Sequence, residues 1–117
     1  MVKIDNILFE KSINILKDLI SFKTISGENN SSIINYCENI LKKCGASSFK
    51  VFDKDKKRVN LFATLKAKKS NKFDPIILSG HTDVVPVSKG WTSDPFVAEI
   101  RDDKVFGRGS CDMKGFL

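Results

Sequence analysis

The sequence predicts an α/β fold, a mixed twisted sheet with flanking helices. Two segments near the N-terminus repeat apolar residues at helical spacing. The segments after them alternate apolar and polar residues, or run apolar without a break, as strands do. The helical and the strand spacing both occur within 117 residues, which is a usual length for one domain. We therefore expect a single domain-sized unit that contains both helices and strands.

Two amphipathic helices are predicted first. Asp5 or Asn6 is suited to cap the first helix. Its apolar stripe consists of Ile7, Leu8, Ile15, Leu16, Leu19 and Ile20. A second helix is predicted to begin at Asn30 or Ser31 and to stop at Gly45, since glycine is favoured just beyond a helix end.

Strands are predicted from residue 49 onward. Alternating residues on either side of the lysine-rich turn 53–58 predict two paired strands with one face in water. The unbroken apolar run 76–78 predicts a strand that is buried on both faces. A further hairpin is predicted to join residues 96–101 to residues 104–106 across a two-residue turn.

The net charge of +6 is unevenly distributed along the chain. Residues 42–72 hold eleven Lys or Arg and two Asp, a balance of +9, whereas the remainder sums to −3. A basic block is compatible with a surface for nucleic acid or membrane. Arginine and aromatic residues are sparse in it, so solvated turns and strand faces are the favoured interpretation. We therefore expect no nucleic acid and no membrane as partners, and a non-catalytic basic binding module stays as the remote alternative.

The cysteines and the apolar segments indicate the cellular compartment. Three cysteines without C-x-x-C spacing argue against a disulfide framework and a zinc knuckle. Cys37 and Cys44 fall on the apolar face of the second helix, where buried free thiols are expected. No apolar stretch has the length of a membrane span, and the N-terminus lacks the apolar region of a secretory signal. A cytoplasmic location is expected.

The chain's one histidine lies in the string SGHTDVVPV at residues 79–87. His81 follows the predicted buried strand, and strand ends are where α/β sheets place their chemistry. Asp83, two residues later, could accept the second ring N–H of a metal-bound histidine. Spacing alone is a weak signal, because an H-x-D triplet often occurs by chance and a lone histidine is more often structural.

A second string, GRGSCDMKG at residues 107–115, places three glycines around Asp112. Glycines permit tight turns and close approach of the backbone to a ligand. The alternative is a glycine-rich turn in which Asp112 only caps a helix. A phosphate loop is excluded, because the G-x-x-x-x-G-K-[ST] spacing is absent.

Together with GWTSDPF at residues 90–96, the two strings resemble the metal-site motifs of the dinuclear zinc amidohydrolase and exopeptidase family. The resemblance runs from Leu78 to Leu117, and Cys111 and Phe116 bring it nearer to acetylornithine deacetylases than to succinyl-diaminopimelate desuccinylases. It implies that residues 1–117 are the N-terminal part of a metal-dependent catalytic domain. Residues 113–117 look like the first turn of a further helix, so we expect a fragment that lacks the rest of this domain and a lid or dimerisation domain.

The resemblance also implies the roles of the site residues. His81 would bind one of two divalent metal ions, zinc or in its place cobalt, and Asp112 would bridge both. Asp83 would be the catalytic-site carboxylate that orients His81, and a cis peptide bond is implied between Asp112 and Met113. In the family a glutamate from an adjacent Glu-Glu pair deprotonates a water. The four glutamates of this chain are isolated, so the fragment alone is expected to be inactive.

The implied activity is hydrolysis of the N-acyl amide of a small amino-acid derivative. N-acetylornithine, cleaved to ornithine and acetate in arginine biosynthesis, is the first candidate. Succinyl-diaminopimelate, or the substrate of a related aminoacylase or dipeptidase, is the alternative. The full-length protein is expected to form a homodimer.

Overall fold

A computed structural model describes residues 5–68 and 74–117, and within these ranges it contains two helices followed by four short strands. The elements are α1 (Asn6–Ser21), α2 (Ser31–Lys43), β1 (Ser47–Phe52), β2 (Val59–Thr64), β3 (Glu99–Arg101) and β4 (Lys104–Phe106). The chain divides into two compact units, one formed by residues up to 26 with 81–117, the other by residues 27–80. Within the described ranges, no helix is both long and apolar enough to cross a membrane.

Helix α1 begins where the sequence predicts. The carboxylate of Asp5 accepts a hydrogen bond from the backbone N–H of Ile7 at 2.9 Å, which satisfies one of the free donors of the first turn. Leu19 and Ile20 at the other end are buried in the core of their unit. The N-terminal part of the predicted stripe, Ile7 and Leu8, is exposed. The amphipathic pattern is therefore used for burial mainly in the last turn.

Helix α2 packs on the hairpin of β1 and β2, and the core there consists of Ile33, Ile34 and Val59. Asn30 precedes the helix, but its side chain makes no capping bond. Its amide instead donates to Val59 O at 3.0 Å and accepts from Val59 N at 2.8 Å, as a neighbouring strand would. Gly45 follows the helix with φ +88°, which confirms the predicted stop.

The hairpin of β1 and β2 is antiparallel, with Phe49 opposite Phe62. These two rings stack with centroids 5.3 Å apart, although both side chains are exposed. In the turn, Asp53 accepts backbone hydrogen bonds from Lys57 and Arg58 and pairs with the Arg58 guanidinium at 3.0 Å. These contacts, led by those with Arg58, hold the pKa of the Asp53 carboxyl below its usual range. The predicted strand pair around residues 53–58 is confirmed.

The second predicted hairpin is also present, as β3 paired antiparallel with β4. Its first strand is shorter than predicted, because it begins at Glu99 rather than at residue 96. Asp102 and Asp103 both have positive φ, 49° and 57°. A two-residue turn with both φ values positive matches the twist of the strands it joins, and aspartate tolerates this conformation better than most residues.

Two predictions were wrong. Residues 76–78 do not form a strand, and Ile76, Ile77 and Leu78 are 88%, 83% and 80% exposed. An apolar run becomes a buried strand only when neighbouring strands pair with it, and within residues 5–68 and 74–117 no ladder includes this run. Cys44 is exposed because it lies at the C-cap of α2, beyond the packed face. Cys37 is free and half-buried, and burial raises the pKa of its thiol.

Candidate metal centre

His81 and Asp112, 31 positions apart, meet in the structure. The ring atom Nε2 of His81 lies 3.2 Å from Oδ1 of Asp112. The backbone N–H of His81 also donates to the thioether sulfur of Met113 at 3.3 Å. The two strings singled out in the sequence are thus adjacent in space, in the unit that contains residues 81–117.

Asp83 lies on the opposite side of the imidazole. The ring atom Nδ1 of His81 is 3.1 Å from the backbone O of Asp83 and 3.2 Å from its Oδ1. The other carboxylate oxygen of Asp83 accepts a 2.6 Å hydrogen bond from the hydroxyl of Ser26. This hydroxyl, assisted by the neighbouring imidazole, holds the pKa of the Asp83 carboxyl below its usual range. A charged, anchored acceptor therefore faces Nδ1.

An isolated parallel bridge holds the segment that bears His81 and Asp83. Ile25 and Val84 form a parallel bridge, in which Val84 N donates to Thr24 O at 2.8 Å and Ser26 N to Val84 O at 3.0 Å. The buried hydroxyl of Thr24 adds a 2.6 Å bond to Thr82 O. Residues 24–26, which follow α1, thus hold the segment that carries His81.

Successive turns form the loop that carries Asp112. Gly109 O accepts from Lys114 N at 2.8 Å, and Met113 O accepts from Phe116 N at 2.9 Å. The peptide bond between Asp112 and Met113 is cis, as the family resemblance implies. The Asp112 side chain is 86% exposed, so its carboxylate is open to a ligand. The helix turn expected at residues 113–117 is part of this run of turns.

Arg108 and Trp91 border the same cleft, which has a volume of about 460 Å³ and also includes His81, Asp83 and Asp112. The guanidinium of Arg108 lies 5.1 Å from the Trp91 ring centroid, within cation–π distance. The backbone N–H of Arg108 donates to Pro95 O at 2.6 Å. These contacts tie the GWTSDPF segment to the glycine-rich loop.

Lys114 is the buried cation of the loop, with 1% of its surface exposed. Its ammonium donates to Phe22 O at 2.7 Å, and burial lowers its pKa to about 8. The cap residue of α1 and the Asp112 loop are therefore joined by one hydrogen bond.

The donor chemistry of the site fits a metal ion such as zinc. Both atoms that face Nδ1 of His81 are acceptors, so the neutral tautomer with its proton on Nδ1 satisfies them and directs the Nε2 lone pair toward Asp112. Two acceptors this close repel each other unless a proton or a metal cation is shared between them. Their separation of 3.2 Å suits neighbouring ligands of one tetrahedral zinc ion with bonds of about 2.0–2.1 Å. Within the described residues no cluster of three or more His, Cys, Asp or Glu could hold a metal, so His81 and Asp112 alone do not make a complete ligand set.

The predicted metal ligands, His81 and Asp112, were expected at the ends of strands, and neither lies there. His81 follows a segment without strand pairing, and Asp112 lies in turns six residues beyond β4. Two residues that the sequence does not mark also contact this region, Ser26 through Asp83 and Lys114 through Phe22 O. No local signal marks either one, because their partners lie 57 and 92 positions away.

Comparison with known proteins places these observations in a family context. The model of peptidase family M20/M25/M40 matches residues 77–117. The chain is 40% identical over 111 residues to a succinyl-diaminopimelate desuccinylase of Rickettsia akari (strain Hartford), covering 90% of this chain and 28% of the relative. It is 35% identical over 120 residues to an acetylornithine deacetylase of Photorhabdus laumondii, covering 96% of this chain and 30% of the relative.

A likeness to a solved structure confirms the predicted fold class. Human carnosine dipeptidase 1 matches with a TM-score of 0.70 at 22% identity, covering 94% of this chain and 26% of that one. The chain thus spans less than a third of the length of the proteins it matches. The comparisons support a relationship to the M20 peptidase family at moderate identity, and they do not separate deacetylases from desuccinylases.

Proposed function

We propose that this chain is the N-terminal part of the catalytic domain of a metal-dependent deacylase of the M20 peptidase family. The full-length protein would hydrolyse the N-acyl amide of a small amino-acid derivative. The observation that carries the proposal is the approach of His81 Nε2 to Asp112 Oδ1 at 3.2 Å, within the stretch that matches the family.

Each residue of the site has a distinct part in this proposal. His81 and Asp112 are the metal ligands, and Asp83 keeps the His81 ring in the tautomer whose Nε2 lone pair is free. Two divalent metal ions, zinc in the first place and cobalt as a substitute, would supply a Lewis acid for the amide carbonyl and a low pKa for the attacking water.

Among the described residues, no glutamate lies in the cleft to serve as the general base of the family mechanism. The chain's four glutamates, all within the described residues, are Glu10, Glu28, Glu38 and Glu99. None of them lines the cleft that contains His81 and Asp112. A carboxylate base would come from a part of the full-length protein that this sequence does not include, and we expect the 117-residue chain alone to be inactive.

N-acetylornithine is the first substrate to test, on the strength of Cys111 and Phe116 in the glycine-rich string. The names of the relatives support succinyl-diaminopimelate equally. Assays of the full-length protein with both compounds decide between them by the ratio of the kcat/KM values. A cytoplasmic location and a homodimer belong to the same proposal.

The metal centre is tested by removing its ligands in the full-length protein. Loss of a residue that only hydrogen-bonds to a metal ligand lowers metal affinity by about 10–100-fold. We expect His81→Ala and Asp112→Ala to lower zinc affinity by more than this, because each removes a ligand itself. Equilibrium dialysis or a competing chelator gives the affinity and the stoichiometry. Asp55→Ala, which removes an exposed carboxylate in the turn 53–58, is the charge-matched control. Zinc binding that both ligand variants leave unchanged would rule out the proposed centre.

A further inference from the structure

Lys114 is buried, which is unusual for a lysine side chain. Lysine is almost never fully buried unless it is paired, because its charge loses hydration. Its side chain is 1% exposed, and no carboxylate among residues 5–68 and 74–117 forms an ion pair with it. Its ammonium instead donates to the backbone O of Phe22 at 2.7 Å, 92 positions away. Burial of a lysine without an ion-pair partner costs free energy, so this contact indicates a function for Lys114.

The carbonyl that Lys114 contacts belongs to the segment that supports the other half of the site. Phe22 is the C-cap of α1, and its O also accepts from Thr24 N at 2.9 Å. From Thr24 onward this segment is hydrogen-bonded to the segment that carries His81 and Asp83, and Ser26 binds the Asp83 carboxylate. The segment 22–26 is therefore a common support, bonded directly to the segment that carries His81 and to the Asp112 loop through Lys114.

The loop is also shaped around the Lys114 stem. A Cβ at Gly109 would lie 3.1 Å from Cδ and 3.3 Å from Cγ of Lys114, so the glycine leaves the space that the stem occupies. The backbone N–H of Lys114 donates to Gly109 O at 2.8 Å. The side chain of Lys114 thus passes Gly109 and ends at Phe22 O in the segment 22–26.

We propose that Lys114 is a positioning residue, whose bond to Phe22 O holds the loop so that Asp112 faces His81. This inference rests on the proposed function, because it assigns the residue a role toward the metal pair. Lys114 itself touches neither metal nor substrate, and it acts by setting where the carboxylate two residues before it lies.

The test compares Lys114→Met with the wild type in the full-length protein. Methionine keeps an apolar stem of similar length and removes the donor. We expect a loss of zinc affinity of at least about 10-fold, as for other outer partners of metal ligands. The affinity is measured with a competing chelator well below the unfolding temperature, and thermal unfolding is followed separately in the metal-free state. Lys104→Met, in the exposed β4, is the matched control.

The outcomes separate positioning from simple stabilisation. A lower unfolding temperature with unchanged zinc affinity of the folded variant overturns the inference. Lys114→Arg, which keeps a cationic donor, is expected to retain more affinity than Lys114→Met, and an equal loss in both variants counts against the hydrogen bond. If the methionine variant does not fold in plain buffer, the comparison is made in an osmolyte that favours the compact state. Wild-type protein that binds no zinc refutes the proposed function instead.

Discussion

At the scale of single residues, the geometry of the candidate site depends on small hydroxyl groups as much as on His81 and Asp112. The Ser26 hydroxyl holds one oxygen of Asp83 at 2.6 Å, which leaves the other to face His81. The Thr24 hydroxyl fixes the backbone one residue before Asp83. A ligand held by such neighbours loses little conformational freedom when a metal binds, since its orientation is already set.

Gly109 shows how closely the loop packs against its support. Its φ is +82°, and a Cβ there would lie 2.7 Å from Val84 Cγ1. Gly90 has a similar φ of +105° with nothing within 4 Å of its Cβ position. Both alanine substitutions cost about 1–2 kcal/mol of backbone strain, and Gly109→Ala adds about 1–3 kcal/mol of overpacking.

The free energy of unfolding from denaturant titrations checks this prediction. Gly109→Ala is expected to lower it more than Gly90→Ala does. Equal losses in the two variants would show that Val84 and Lys114 yield to the added methyl group at no cost, against the packing seen in the structure.

At the scale of elements, an ion cluster joins α2 to β1. Glu38 of α2 lies 2.6 Å from the Lys50 ammonium and 2.9 Å from that of Lys42, and it accepts from the Ser48 hydroxyl at 2.8 Å. These contacts, led by Lys50, lower the pKa of Glu38 to about 2. Two lysines of the basic block, Lys42 and Lys50, are thus used for ion pairs within the fold.

The Glu38 cluster predicts a pH dependence of stability. The carboxyl has a lower pKa in the folded than in the unfolded state, so the unfolded state takes up protons first as the pH falls. The stabilisation is complete above about pH 5 and is lost progressively toward pH 2. Urea titrations between pH 7 and pH 2 measure it. Glu38→Gln should flatten this part of the profile, and an unchanged slope would contradict the assignment.

The helices and hairpins were predictable because their signals are local. Asp5, Gly45 and the paired aspartates at 102 and 103 act within a few residues of their own position, through caps and turns. Burial was less predictable, since Ile7 and Leu8 fit the apolar stripe and are nevertheless exposed. A periodic pattern shows which face is apolar, whereas its burial depends on what packs against it.

At the scale of the whole molecule, the strands form two separate two-stranded ladders within the described ranges. Along the chain, residues 76–78 come between β2 and β3, and their apolar side chains are exposed. The described residues leave these three side chains uncovered, and exposed apolar segments are prone to pair with other strands.

Hydrogen exchange of the 117-residue chain tests this description. The amides of Ile76, Ile77 and Leu78 are expected to exchange at rates near those of an unstructured peptide, because no ladder in the described ranges includes them. The Val84 amide, bonded to Thr24 O at 2.8 Å, is the protected reference. Protection at residues 76–78 equal to that of Val84 would mean that the segment is paired.

The sequence by itself determined the helices and the two hairpins, because capping and turn chemistry are local properties of the chain, and it marked His81, Asp83 and Asp112 as candidates through their resemblance to family motifs. Only the tertiary structure decided that His81 and Asp112 lie 3.2 Å apart, that Ser26 binds Asp83, and that Lys114 binds Phe22 O. It also decided that residues 76–78 are exposed. Contacts across 31 to 92 positions depend on how the segments pack, and no residue type or spacing along the chain encodes that packing locally.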